Sequence, residues 1–218
     1  MNVSYLYFQM SILIVFSALV AGRIIRLRHK YKTNAVSIIR NKGTQRFLGI
    51  TVVTIINVWV AILLVYILHP EINFLPFPVD LVLVDTTPVK ITGISLICFG
   101  LVVYISAWVS LSNTWRIGHD HELKGELIRK GIYRISRNPM YLFYDLYFVG
   151  TYMINGALIF LIMSVLLIIT LHYLIIQEEK YLNLNYGESF ITYAYQTRRY
   201  LNWRGLPVMK WFRNKDWK

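Results

Sequence analysis

One cysteine, Cys98, is all the thiol chemistry that 218 residues offer. An intrachain disulfide framework is therefore excluded, and a cysteine-based metal site has too few ligands to draw on. Charge is scarce at 16% of residues, and acids are scarcer still, with 11 Asp and Glu against 23 Lys and Arg. A Gly-rich dinucleotide fingerprint, internal repeats and a Pro/Gly/Ser-rich linker marking a second domain are all missing. Apolar residues fill the space these absences leave. They make up 56% of the chain, and a mean hydropathy of +0.48 is too high for an ordinary soluble domain.

The apolar residues fall into four long stretches: Met1 to Gly22, Phe47 to Pro70, Ile91 to Trp115, and Asn138 to Gln177, the last interrupted only by Asp145. At 1.5 Å per residue the last stretch would make a helix of about 60 Å, roughly twice the hydrocarbon thickness, so it must fold back. Asn155-Gly156 is its good turn signal. Splitting there gives legs Met140 to Ile154 and Ala157 to Ile176. The sequence thus predicts an all-α polytopic membrane protein of five transmembrane helices, the last two a hairpin.

Twenty-two of the 23 basic residues lie in three clusters, Arg23 to Arg46, Arg116 to Arg137 and Lys180 to Lys218, while the linker from His69 to Lys90 holds only Lys90 with Glu71, Asp80 and Asp85. By the positive-inside rule the N-terminus is outside and the C-terminus inside, as five crossings require. Topology accounts for the net charge of +12, so nucleic acid is not expected as a partner. The first helix is expected to stay as a span rather than be cleaved as a signal peptide, because no basic residue precedes it and a dense cluster follows. The outer linker, with Pro70, Pro76, Pro78 and Pro88 among apolar residues, reads as a re-entrant or interfacial loop.

The region from about Glu178 to Tyr200 carries Leu182, Tyr186, Phe190 and Tyr193 at helical spacing, which predicts a C-terminal cytosolic amphipathic helix. Trp203, Trp211, Phe212 and Trp217 beyond it suit interfacial anchoring. The hairpin brings Gly131 to Tyr141, which enters the fourth helix, beside Gln177-Glu178-Glu179, which leaves the fifth. Pro139 suits a first helical turn, and Arg137 just before it faces a pair of carboxylates. Such a set fits a small zwitterionic, partly apolar ligand, although salt-bridged anchoring at helix ends explains the same residues.

Several polar residues stand outside that set. Asp145 is costly in lipid and a functional suspect, for a substrate head group or a cofactor amine. His119-Asp120-His121 has the form of a metal pair without a third ligand, and no metal is expected. His172 is expected as a hydrogen-bonded interior residue and Asn57 as a helix-to-helix hydrogen bond.

The segment GIYRISRNPMY, the hairpin after it and EEKYLNLNYGESFITYAYQTRRYL together resemble the isoprenylcysteine carboxyl methyltransferase and phospholipid methyltransferase superfamily, whose pattern is roughly GxYxxxR[HN]PxY, a hairpin, and EExxLxxxFGxxYxxYxxxxxR. NTWRIGHD also resembles the preceding segment of bacterial members. The likeness covers about Asn113 to Leu201 and divides the single membrane domain into three helices (1–112), a cofactor-binding core (113–201) and a basic aromatic tail (202–218). It implies that S-adenosylmethionine binds in a cytosol-side pocket and that a lipophilic or lipidated substrate enters from the bilayer.

Residue by residue, the resemblance implies that Gly131 and Tyr133 form the cofactor loop and that Arg137, Asn138, Pro139 and Tyr141 line the pocket. Glu178 and Glu179 match the paired glutamates linked to cofactor binding and methyl transfer, so that Glu178, Glu179 and Arg137 form the catalytic set. Gly187, Tyr193 and Arg199 match the closing tail, with Tyr186 and Phe190 in its aromatic places. In this reading Arg137 meets the methionine carboxylate, a glutamate holds the amino or ribose hydroxyl groups, and Tyr133, Tyr141 or Tyr193 faces the sulfonium. Asn138 stands where eukaryotic carboxyl methyltransferases have histidine, Gly125 where many members have histidine, and Asn202 near an expected proline. The asparagine form is similar to that of bacterial relatives and implies a bacterial inner membrane. The expected function is S-adenosylmethionine-dependent methyl transfer to a lipid-like or isoprenoid-bearing acceptor; the alternatives are a membrane reductase of the related sterol-reductase-like fold and a non-enzymatic membrane subunit.

Overall fold

The computed structural model describes residues 3–31, 43–69, 77–111 and 127–201. These form α1 (Val3–Tyr31), α2 (Thr44–Leu68), α3 (Thr87–Ser110), a 3-10 turn (Gly131–Arg134), α4 (Pro139–Asn155), α5 (Leu158–Tyr186) and α6 (Glu188–Gln196). The described residues contain no β-strand beyond one isolated bridge, Val82 with Ala157. The protein is all-α, as its hydropathy pattern predicts. The His119 and His121 pair, Gly125, Pro70 to Pro76 and the tail 202–218 lie outside the described residues.

Among the described residues, four helices are long and apolar enough to cross a membrane: Ser4–Gly22, Arg46–Leu68, Thr87–Ser110 and Leu158–Tyr186. α4 is different. Its 17 residues reach about 25 Å, short of the ~30 Å hydrocarbon core. α4 is instead the packing centre. Leu142, Phe143, Tyr147, Phe148, Gly150, Thr151 and Ile154 are all buried, and its most extensive partner is α3. Phe143 stacks on Phe16 of α1 at 4.9 Å, and Phe148 meets Trp59 of α2 at 4.0 Å between centroids. The Tyr147 hydroxyl donates to the Gln9 carbonyl at 3.1 Å, and the Asn155 amide to Gln9 Oε1 at 3.0 Å. Bonds of this kind hold helices together where the hydrophobic effect between them is weak.

α3 and α4 approach closely because glycine faces glycine. A Cβ on Gly150 would lie 2.6 Å from the Gly93 carbonyl oxygen, and one on Gly93 2.6 Å from that of Gly150. Gly150→Ala should therefore destabilise the bundle by about 1–3 kcal/mol, the usual range for overpacking. Gly22→Ala, with nothing within 4 Å, should not. Melting of the two variants in the same detergent checks this; equal transitions would show that the crossing tolerates the methyl.

The turn at Asn155-Gly156 forms as expected. Gly156 sits at φ 69, and a Cβ there would run into the Val84 carbonyl. Residues 79–83 lie along this turn: Leu83 N–H donates to Gly156 O at 2.8 Å, and Leu158 and Ile159 N–H donate to Leu81 and Val79 carbonyls, both at 2.9 Å. The described part of the linker between α2 and α3 is thus a cap paired to the hairpin. Pro88, expected in that linker, falls in the first turn of α3, where its missing N–H matters little.

Two expectations are corrected. The C-terminal amphipathic helix forms, as α6, but covers only Glu188–Gln196 of the expected Glu178 to Tyr200, because α5 continues unbroken to Tyr186. Gln177, Glu178 and Glu179 are good helix formers, and Gly187, at φ 51, is the first residue after them that turns the chain easily. Leu182 and Tyr186 therefore belong to α5, and Phe190 and Tyr193, both buried, to α6. Asn57 does not bridge helices either. It lies exposed on α2 and donates to its own helix at Val53 O, 2.7 Å away, the local bond always within reach of a helical asparagine.

Candidate functional site

Three segments meet at the end of the bundle opposite Gly156: the turn leading into α4, the last third of α5, and the chain after α6. Pro139 and Asn138 set the first. Asn138 is the N-cap residue with Pro139 behind it, and its backbone N–H is taken by Ser136 Oγ at 3.1 Å. The backbone of the third segment then docks on this entry. Arg137 N–H donates to Arg198 O at 3.0 Å, Asn138 Nδ2 to Arg199 O at 3.1 Å, and Ser136 Oγ to the same carbonyl at 3.4 Å.

Glu179 is the point on which the three converge. Its Oε1 accepts Arg137 Nε at 3.0 Å, Arg137 Nη2 at 2.8 Å and Asn138 Nδ2 at 3.2 Å. Its Oε2 accepts Arg199 Nε at 3.1 Å and Nη2 at 2.7 Å. The Arg137 Nη1 group reaches past the carboxylate to the Ala194 and Thr197 carbonyls at 2.9 and 2.7 Å. Four of the five guanidinium N–H directions of Arg137 are thus engaged within the protein. The side chains of Arg137 and Glu179 are 7% and 2% exposed, and that of Arg199 is 25% exposed. A buried carboxylate between two guanidiniums leaves one net positive charge, and Arg199 is the partner that solvent and ligands reach.

The neighbouring acid behaves differently. Glu178, half-buried, accepts the Tyr141 hydroxyl on Oε2 at 2.9 Å and has no arginine in the pairs that hold Glu179. Tyr193, from α6, donates to the Tyr133 carbonyl at 2.7 Å. Burial pushes the Tyr193 phenol well up, against the opposing pull of the Arg137 charge, so it stays a neutral donor. The structure therefore brings together Tyr133, Arg137, Asn138, Pro139, Tyr141, Glu178, Glu179, Tyr193 and Arg199. Gly131 stands apart. At φ 61 it packs where a Cβ would strike the Ser110 side chain at the end of α3, so glycine is required there for backbone shape. Asp145 lies one helical turn beyond Tyr141, deeper along α4.

Sequence reasoning did not single out Ser136, Thr197 or Tyr200. Tyr200 OH is 2.8 Å from His172 Nδ1 with the rings near parallel, which supplies the hydrogen bond expected of His172. The signal was available in part: His172 precedes Glu179 by seven residues, two turns on one face of α5. Ser136 and Thr197 act through carbonyls and N–H groups, which carry no side-chain pattern. Among the described residues no group of three His, Cys, Asp or Glu side chains is placed to hold a metal.

Residues 89–189 match the phospholipid methyltransferase family model, part of the superfamily that the two motifs resemble. The match runs from the first turn of α3 into the first turn of α6, and contains Arg137, Glu178 and Glu179; Tyr193 and Arg199 follow it. No curated protein and no solved structure shows a significant match to the chain.

Proposed function

From a multi-pass membrane protein whose residues 89–189 carry a phospholipid methyltransferase domain, we propose an S-adenosylmethionine-dependent methyltransferase acting on a lipid-like or isoprenoid-bearing acceptor. The observation that carries this reading is the Glu179 clasp, which joins α4, α5 and the post-α6 chain around one polar end beside Glu178 and three tyrosines. In the proposed topology α4 is a short fifth crossing, the N-terminus is outside and the clasp faces the cytosol of a bacterial inner membrane.

The residue set suits the cofactor group by group. Arg199, partly exposed and part of a clasp with one net positive charge, meets the methionine carboxylate. Arg137, engaged on four sides, positions Glu179 instead. Glu178, whose carboxylate accepts the Tyr141 hydroxyl, takes the ammonium or ribose hydroxyl groups. Tyr133, Tyr141 and Tyr193 present ring faces to a sulfonium, an attraction of about 1 kcal/mol each. When bound, the cofactor supplies an electrophilic methyl group on a positively charged sulfur. The protein's share is to align donor and acceptor and to exclude water, worth roughly 7–11 kcal/mol in well-oriented systems.

Because a ligand stabilises only the state that binds it, S-adenosylmethionine at about 100 times its Kd should stabilise the detergent-solubilised protein by about 2.7 kcal/mol. NADPH should leave the melting temperature unchanged. A shift with NADPH instead would favour the reductase, and a shift with neither the non-enzymatic subunit.

A further inference from the structure

One turn deeper than Tyr141, the structure holds a second polar group that the methyl-donor site does not use. Asp145 Oδ1 is buried and has no hydrogen-bond partner among the described residues. An ionisable side chain at this depth of a membrane helix is expensive, and an acid retained for packing alone would be expected to have both oxygens satisfied. Its surroundings are polar on one side. Tyr200, on the chain that leaves the clasp, is near enough for the Asp145 charge to add to the effect of burial in pushing the phenol up to about 12. The Tyr200 hydroxyl in turn sits 2.8 Å from His172 Nδ1 on α5. α4, α5 and the C-terminal segment thus contribute one group each, as they do to the clasp.

We propose that Asp145 is a catalytic residue facing the methyl acceptor, with Tyr200 and His172 as its positioning pair, and that the acceptor bears an N–H or O–H group rather than a carboxylate. This rests on the methyltransferase reading above. A buried, unpartnered carboxylate oxygen repels an anionic acceptor and attracts a proton-bearing one. In the step, the acceptor's lone pair forms the new bond to the methyl carbon while the S–C bond breaks with its electron pair remaining on sulfur as a thioether. The acceptor's proton passes to the Asp145 carboxylate. An acceptor carboxylate, already ionised at neutral pH, would require no such group.

The experiment uses the full-length protein in detergent with tritiated S-adenosylmethionine and a total bacterial lipid extract. Wild-type protein should place label in an alkali-stable product, as N-methyl and O-methyl ether groups are, whereas methyl esters release methanol in base. Asp145→Asn, nearly isosteric, should lower kcat about 100-fold or more, the range for loss of a general base, and retain the thermal shift given by S-adenosylmethionine. Tyr200→Phe should lower kcat less and leave the cofactor shift intact. Alkali-labile label, an Asp145→Asn rate within about twofold of wild type, or loss of the cofactor shift in that variant would each overturn the inference and leave the methyltransferase reading standing. Absence of both label and cofactor shift in the wild type would remove the methyltransferase reading, and this inference with it.

Discussion

Arg137→Ala should destabilise the protein by about 3–5 kcal/mol and abolish methyl transfer. That range belongs to buried ion pairs broken from one side, and the burial here is nearly complete on both partners. Three losses coincide. Glu179 Oε1 keeps only the Asn138 amide, the Ala194 and Thr197 carbonyls lose their donor, and the post-α6 chain loses a tie to α4. Arg199→Ala should destabilise much less, because its guanidinium is a quarter exposed and water replaces part of what is lost. Its effect should appear in cofactor affinity. Arg137→Lys should not rescue, since a single ammonium cannot reach the carboxylate and two carbonyls at once. Denaturation in detergent of the three variants decides the matter: equal destabilisation by Arg137→Ala and Arg199→Ala would contradict the assigned division of roles.

Glu178→Ala should weaken S-adenosylmethionine binding about 10- to 100-fold and leave the cofactor-free protein close to wild-type stability. A hydrogen bond to a charged group contributes about 1.5–3 kcal/mol, and each 1.4 kcal/mol is a factor of ten in Kd. The clasp bonds run through Glu179 and Glu178 accepts from Tyr141, so its removal leaves the clasp standing. Tyr141→Phe isolates the part due to orientation. It keeps the carboxylate and removes only the donor that holds it, so it should weaken binding by a smaller factor. Titration calorimetry gives both affinities; unchanged binding by Glu178→Ala would transfer the cofactor contact to other residues.

Glu178 and Glu179 show how far the sequence alone could be read. Adjacent identical acids following a long apolar helix gave their location and the side of the bundle they occupy, because helix length and turn signals are local. Their different environments were not legible. Which of two neighbouring helical residues points inward depends on where α5 ends, and the pattern suggested a break near Ile176 where the chain in fact continues to Gly187. Arg137 was found for its charge and its place before Pro139, yet its partners at Ala194 and Thr197 are backbone oxygens, which any residue type supplies. Aromatic packing was legible only in part. Phe143 and Phe148 could be assigned to an apolar helix, but their burial against Phe16 and Trp59 depends on how helices distant in sequence are arranged.

The unbroken course of α5 also couples the protein to the membrane around it. From Leu158, where the residue 79–83 cap is fastened, to Glu179 at the clasp, the helix rises about 32 Å, and the described rod contains no hinge to shorten it. A bilayer of different thickness cannot be met by bending between those points. Lipid must stretch, thin or let the rod lean, so the height of the clasp relative to the lipid head groups follows from acyl-chain length. The protein is built as a gauge of fixed length, and the rate of the proposed methyl transfer should vary with the thickness of the membrane around it.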